Sequence, residues 1–349
     1  VDYLLERMTR QGLAPRSTGT AAEVAATALG LQAQDAAASR LGVRARTSGP
    51  DEAAVVRAAE VERSVVRTWL MRATVHLVAA GDVRWLTSLF GPMIERRFAN
   101  VRWRQLGIDR QLIDKAIPLA QEVLAGRQLT RHQVAEQMAE RGIRLAEDPQ
   151  AATHLLLALS CRGVTCRAGD RGRDSTFALL DDWVPSGPAP VDPMAELARR
   201  YFRAFGPATA ADFTAWSGLP SGPAVKAIQD ELTEVGIDGR RGWTLGSVEP
   251  AKGLRLLPMF DNYLLGYRDR TAMLDPARHA SVYVGGIIKA SVLCDGRVIG
   301  IWRQDRSGSS TTIRVTPFER FAPRHRDELE RERADIERFR GRPVGIAVD

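Results

Sequence analysis

The chain has 349 residues, 44% of them hydrophobic and 26% charged, with a formal net charge of +7. That length implies about two to four compact units with real cores, and the balance excludes a disordered or fibrous chain. The positive excess fits an anionic partner such as nucleic acid, and apolar runs as short as Leu155–Leu159 exclude a bilayer-spanning helix.

Only Lys115, Lys226, Lys252 and Lys289 are lysines, so arginine supplies nearly all the positive charge. Arginine is the better fork for phosphates and guanine edges. A GC-rich genome raises arginine too, so this usage alone selects no partner. Cys161, Cys166 and Cys294 are sparse and odd in number, which fits neither a disulfide framework nor a zinc site. Buried reduced thiols in a reducing cytoplasm are expected, and the opening Val1-Asp2-Tyr3 shows no signal-peptide pattern.

In chain order, a helix is expected from Tyr3 and a second from Glu23, where Thr20-Ala21-Ala22-Glu23 reads as a capping box. Leu29–Arg46 follows, containing Gln32-Ala33-Gln34, a short alanine-rich helix with Asp35 as a candidate N-cap, and three arginines. After a helix from Asp51, strands are expected at Ser64–Leu70 and Ala73–Val78. The middle of the chain reads as helices over Asp109–Ala125, Thr130–Glu140 and from Asp148, the second opened by a Thr130/Gln133 box. A hairpin follows at Gly163–Arg167 and Thr176–Leu180, around the basic tip Ala168–Asp174. Helix, helix, helix, hairpin is the winged-helix order.

Beyond the proline-rich linker Asp182–Pro190 the order repeats, with helices over Asp192–Phe205, Asp212–Ser217 (led by a looser Thr209/Asp212 box) and Pro223–Val235, and a wing at Asp238–Leu245. After Gly253 the period changes to two, and strands are expected at Leu254–Pro258, His279–Val284, Lys289–Cys294 and Arg297–Trp302. Asp295-Gly296 is a tight hairpin signal. Pro323–Arg340 reads as a charged helix packed on the sheet.

Several chemistries lack their residues. There is no phosphate-binding glycine loop ending in Lys-Ser/Thr, no dinucleotide fingerprint, no Gly-x-Ser-x-Gly elbow, and the five histidines show no metal spacing. Gln32 and Gln34 admit two readings. They brace the start of a helix, or their neutral carbonyl oxygens hold a water beside developing positive charge. The second suits cleavage of an N-glycosidic bond, which passes through an oxocarbenium-like sugar. A purine alkylated at N7 is already cationic and leaves without strong acid help, so a positioned water and negative potential near C1′ suffice.

Gly30–Asp35 resembles the signature of the bacterial winged-helix glycosylases that unhook DNA interstrand crosslinks. Arg67–Val78 and Leu256–Arg270 carry the same likeness, which runs over nearly the whole chain. Glutamine at both motif positions matches the branch serving antibiotic self-resistance of the azinomycin type; the broader-substrate branch has Gln-x-Asp. The resemblance implies an α+β fold: three tandem winged-helix motifs (1–105, 106–184, 190–250) plus a small C-terminal β-barrel (253–349), C-shaped around a DNA channel. It makes Gln32 and Gln34 the catalytic pair of a monofunctional glycosylase that needs no metal or cofactor. Its partner would be duplex DNA carrying alkylpurine crosslinks, with no membrane and no obligate protein partner, in a cytoplasmic protein associated with the nucleoid when bound.

Arg67, Arg72 and His76, on or beside the first wing, are candidate phosphate or lesion contacts; alternatively Arg72 pairs with a carboxylate and His76 is buried. The family places a β-hairpin in its DNA channel, and Gly285–Lys289 is the candidate, with Ile287 and Ile288 as wedges and Lys289 beside them. Arg297 and Arg303 are secondary phosphate candidates. Asp261, Asn262 and Tyr263 either line a pocket or fix a turn. Two non-glycosylase readings stay open: a winged-helix DNA-binding regulator, and a protein that sequesters the crosslinking drug.

Overall fold

The computed structural model describes residues 2–172, 174–307 and 310–349 of an α+β chain. Arg173, in the expected basic wing tip, lies outside the described residues. Two compact units emerge, one from residues 1–56 and 194–349, the other from 57–193. The boundary falls inside the first expected motif.

The 57–193 unit centres on antiparallel strands ordered Thr74–Ala79, Val65–Leu70, Thr165–Arg171, Asp174–Leu179 and Leu129–Thr130. Both hairpins anticipated from sequence are present, but they share one sheet, joined where Arg67 registers with Arg167. Trp69 stacks on Phe177 at 6.0 Å across the join, and the Arg167 guanidinium sits 4.7 Å from the Trp69 ring. Helices Val83–Ala99, Arg110–Leu124, Arg131–Glu140 and Ala151–Cys161 accompany the sheet. Thr130 and Gln133 form the expected capping box. The close pair is Val83–Ala99 with Ala151–Cys161, because Gly91 carries no side chain: a Cβ there would lie 2.2 Å from the Cys161 carbonyl oxygen.

In the other unit, Thr20 and Thr209 close their boxes with Glu23 and Asp212. Helices Pro193–Phe205 and Ala210–Ser217 bury Tyr201, Phe205, Phe213 and Trp216 against one another, ring centroids 4.9–6.2 Å apart. The third helix stops at Ala227 instead of reaching Val235, since Thr233 and Val235 already belong to the strand Thr233–Ile237. That strand pairs with Arg240–Thr244 around Asp238-Gly239, whose φ angles of +48° and +76° suit a tight hairpin turn.

The C-terminal strands form a half-barrel sheet ordered Val344–Val348, Ser310–Pro317, Arg297–Ser307, Ser291–Cys294 and Leu254–Leu257, the first pair parallel. Helix Pro323–Arg340 has its expected bounds. His279–Val282 is a short helix and not the expected strand, because Asp275 caps Pro276–Arg278 and the chain stays helical through Val282. Strands Ser310–Pro317 and Val344–Val348 have no counterpart among the strands expected from sequence. No helix among the described residues is long and apolar enough to cross a membrane. All three cysteines are free and buried, and burial pushes each thiol up to about 12.

Candidate active site around Gln32 and Gln34

Gln32 ends the two-residue strand Leu31–Gln32, and Asp35 caps helix Ala36–Arg46 by accepting from the Ala38 amide at 2.8 Å. The expected N-cap is therefore present. The glutamines differ: Gln34 is exposed, whereas Gln32 retains 8% of its accessible surface. The Gln32 Oε1 is fully enclosed and accepts from no donor among the described residues. Such an orphaned acceptor costs stability, so its retention calls for a role other than folding.

The backbone before the motif is unusual. Leu29 and Gly30 both have left-handed φ, +54° and +91°, a conformation that strains leucine but not glycine. Asn262 holds the bend. Its Nδ2 donates to the Ala28 carbonyl at 3.3 Å and the Gly30 carbonyl at 2.6 Å, while its Oδ1 accepts from the Gln32 amide at 3.4 Å. Next to it, buried Asp261 receives a two-pronged bond from Arg46, 2.8 Å on each side. Arg44 is fully buried, donating to Glu332, Asp335 and the Leu256 carbonyl. Burial would raise the Glu332 carboxyl, but the Arg44 and Arg255 guanidinium groups and the Leu256 amide hold it below its ordinary value. Asp261 and Asn262 thus brace the motif. The bracing by Arg44 and Arg46 escaped the sequence reading, which saw only that three arginines follow the motif; arginines every few residues in an alanine-rich helix look the same whether they face solvent or carboxylates.

Arg67 is buried, bonded to Asp170 at 2.7 and 3.1 Å and to the Ala168 carbonyl at 2.8 Å. His76 is 3% exposed, its Nδ1 is 2.9 Å from the Thr74 carbonyl, and burial pulls its pKa down to about 4. His76 thus has the buried geometry of the structural alternative, and the carboxylate pairing expected there of Arg72 is made by Arg67. A phosphate would have to displace Asp170 from Arg67 or open the sheet at His76. Arg72 sits at the hairpin turn with φ +51° and is half-buried.

Gly285-Gly286 turns the ribbon Tyr283–Val284/Ile287–Ile288. Ile287 and its register partner Val284 are 45% and 44% exposed, while Ile288 is 6% exposed. The exposed apolar face of the ribbon therefore comprises Val284 and Ile287; Ile288 points inward because alternate strand residues face opposite ways. Lys289 and Arg303 line a cavity of about 540 Å³ together with Asp35, the residue after Gln34. Arg297 is exposed and lines a different cleft, with Arg278 and Arg320. No metal-binding group of three or more His, Cys, Asp or Glu occurs among the described residues.

Against known proteins, residues 25–339 match the family described as AlkZ-like DNA glycosylases. An interstrand DNA cross-link repair glycosylase of Streptomyces sahachiroi is 30% identical over 364 aligned residues, covering 96% of this chain and 95% of that protein. The solved structure of the Streptomyces sahachiroi DNA glycosylase AlkZ superposes with a TM-score of 0.82 at 28% identity, over 100% of this chain and 98% of that one.

Proposed function

Because the chain belongs to the AlkZ-like DNA glycosylase family, we propose that it hydrolyses the N-glycosidic bond of N7-alkylated purines and so unhooks interstrand crosslinks in duplex DNA. The observation that carries this reading is the pairing of an enclosed, unshared Gln32 carbonyl with an exposed Gln34 two residues on. Gln34 orients the attacking water. Gln32 Oε1 is too enclosed to share in that task; its fixed carbonyl dipole places negative potential where the sugar becomes oxocarbenium-like. The C1′–N9 bond breaks with its electrons going to the cationic base, which leaves neutral; water adds at C1′ and releases its proton to solvent. Neither glutamine titrates.

Residues 1–105, 106–184 and 190–250 serve as three winged-helix motifs and 253–349 as the barrel wall, holding duplex DNA in a channel. Ile287, joined by Val284, enters the duplex as a wedge, and Lys289, Arg303, Arg297 and Arg72 meet phosphates. Arg67 and His76 support their own sheet. Resistance to a crosslinking antibiotic of the azinomycin type is the role that fits.

The test is incubation with a defined N7-guanine crosslink in EDTA. Separated strands bearing heat-labile abasic sites are expected, with no protein–DNA adduct on borohydride trapping. Tight binding to undamaged duplex without unhooking would favour a regulator instead. A trapped adduct lost in Lys289→Ala would contradict a monofunctional enzyme.

A further inference from the structure

The cleft that Arg297 lines, about 210 Å³ in volume, is built wholly from residues between Met273 and His325. Arg278, Arg320 and His325 line it too, against apolar walls from Met273, Val298, Ile299, Phe318 and Phe321. Elsewhere Arg44, Arg46, Arg67 and Arg162 each hold a carboxylate. Here the guanidinium groups of Arg297 and Arg320 bond no group among the described residues. Arg278 donates to the Phe318 carbonyl at 3.1 Å and lies 5.5 Å from that ring. The lining carboxylates, Asp275 and Glu319, form no ion pair with any of the three among the described residues; Asp275 accepts from the Ala277 amide at 2.9 Å.

The histidine adds a fourth donor. Arg324 Nε, which has only a proton to give, lies 3.3 Å from His325 Nε2. Nε2 is therefore the acceptor, and in the neutral ring Nδ1 carries the proton. That Nδ1 is enclosed and has no partner among the described residues. Like charges gathered about one cleft raise its potential and favour an anionic guest. The volume falls below the roughly 300–1,000 Å³ of drug-sized sites, so the guest is compact.

We propose that this cleft binds a terminal phosphate, the monoester of a nucleotide, through Arg278, Arg297, Arg320 and His325 Nδ1, with the nucleoside against Phe318 and Phe321. A monoester carries about 1.5 to 2 negative charges at neutral pH, whereas each internal phosphodiester of a duplex carries roughly one. Three arginines about one small cleft match the monoester better, and guanidinium forks meet phosphate oxygens in pairs. A free nucleotide and the 5′-phosphorylated end of a DNA strand share this chemistry. The inference extends the phosphate role given to Arg297 above. Its test reads binding alone, so it stands or falls separately from base excision.

The experiment titrates the full chain calorimetrically with deoxyadenosine 5′-monophosphate, deoxyadenosine and inorganic phosphate. The nucleotide is expected to bind at least tenfold more tightly than either fragment. Arg320→Ala and His325→Phe each remove one donor, and each is expected to weaken nucleotide binding at least tenfold with the thermal midpoint retained. Competition against bound nucleotide separates the sources. Displacement by a 5′-phosphorylated duplex but not by its 5′-hydroxyl twin would support the proposal and assign the cleft to DNA ends. Displacement by neither would support it and assign the cleft to free nucleotide. Displacement by both alike would overturn it, because internal phosphodiesters would then fill the cleft. Absent nucleotide binding, equal affinity for either fragment, or folded variants that bind as wild type does would overturn it as well.

Discussion

At the scale of single residues, the site depends on a buried side chain bonded to backbone groups. Asn262 ties the carbonyls on both sides of left-handed Leu29 to the amide of Gln32. Asn262→Asp keeps the shape but removes both donors and places an acceptor against two carbonyls. Excision is expected to fall at least tenfold, the equivalent of about 1.4 kcal/mol, with DNA affinity retained, as measured by single-turnover rates and anisotropy on the same preparation. His76 gives a pH effect. Its pKa is about 4 in the folded chain against an ordinary 6.5, so below 6.5 the unfolded chain takes up a proton that the folded chain refuses. Stability from this group is complete above about pH 6.5 and is lost as pH falls towards 4, about 3 kcal/mol in all. Urea unfolding at pH 7.5 and 4.5 should show a smaller acid loss in His76→Gln than in wild type. The sequence singled out Gln32, Gln34 and Asn262 by motif, but burial of Arg67 and His76 was not legible there. Alternation along a strand does not say which face is covered.

Elements that announce themselves by local chemistry were readable. The boxes opened by Thr20, Thr130 and Thr209, the cap at Asp35 and the helix Pro323–Arg340 follow from hydrogen bonds a few residues long. Those decided by distant partners were not: Val344–Val348 is a strand because Ser310–Pro317 lies beside it, and His279–Val282 is helical because an upstream cap sets its course. Helix Ala36–Arg46 is held through Arg44, whose removal leaves Glu332 buried with Arg255 as its remaining cation. Arg44→Met is expected to cost about 3 kcal/mol or more, read as a lower thermal midpoint. A similar loss is expected for Gly91→Ala, since its Cβ would meet the Cys161 carbonyl at 2.2 Å and push the helices Val83–Ala99 and Ala151–Cys161 away from each other.

For the whole molecule, a net charge of +7 makes affinity for intact DNA salt-dependent. Lys289→Ala and Arg303→Ala should each flatten the slope of log K against log salt by about one. Arg67→Ala should leave the slope unchanged, because that guanidinium is buried as well as bonded to Asp170, whereas Arg303 is exposed beside Asp305. The strand-rich C-terminal region was legible as a change of period. The merging of two hairpins into one sheet was not, because it hangs on a single long-range register, Arg67 with Arg167. The central claim is that two neutral amides run the reaction. Single-turnover unhooking of a defined N7-guanine crosslink in EDTA, by wild type beside Gln32→Ala and Gln34→Ala, tests it most directly. Strand separation with abasic sites in wild type, slowed at least a hundredfold in both folded variants, is the expected result. Variants that unhook at the wild-type rate would contradict it.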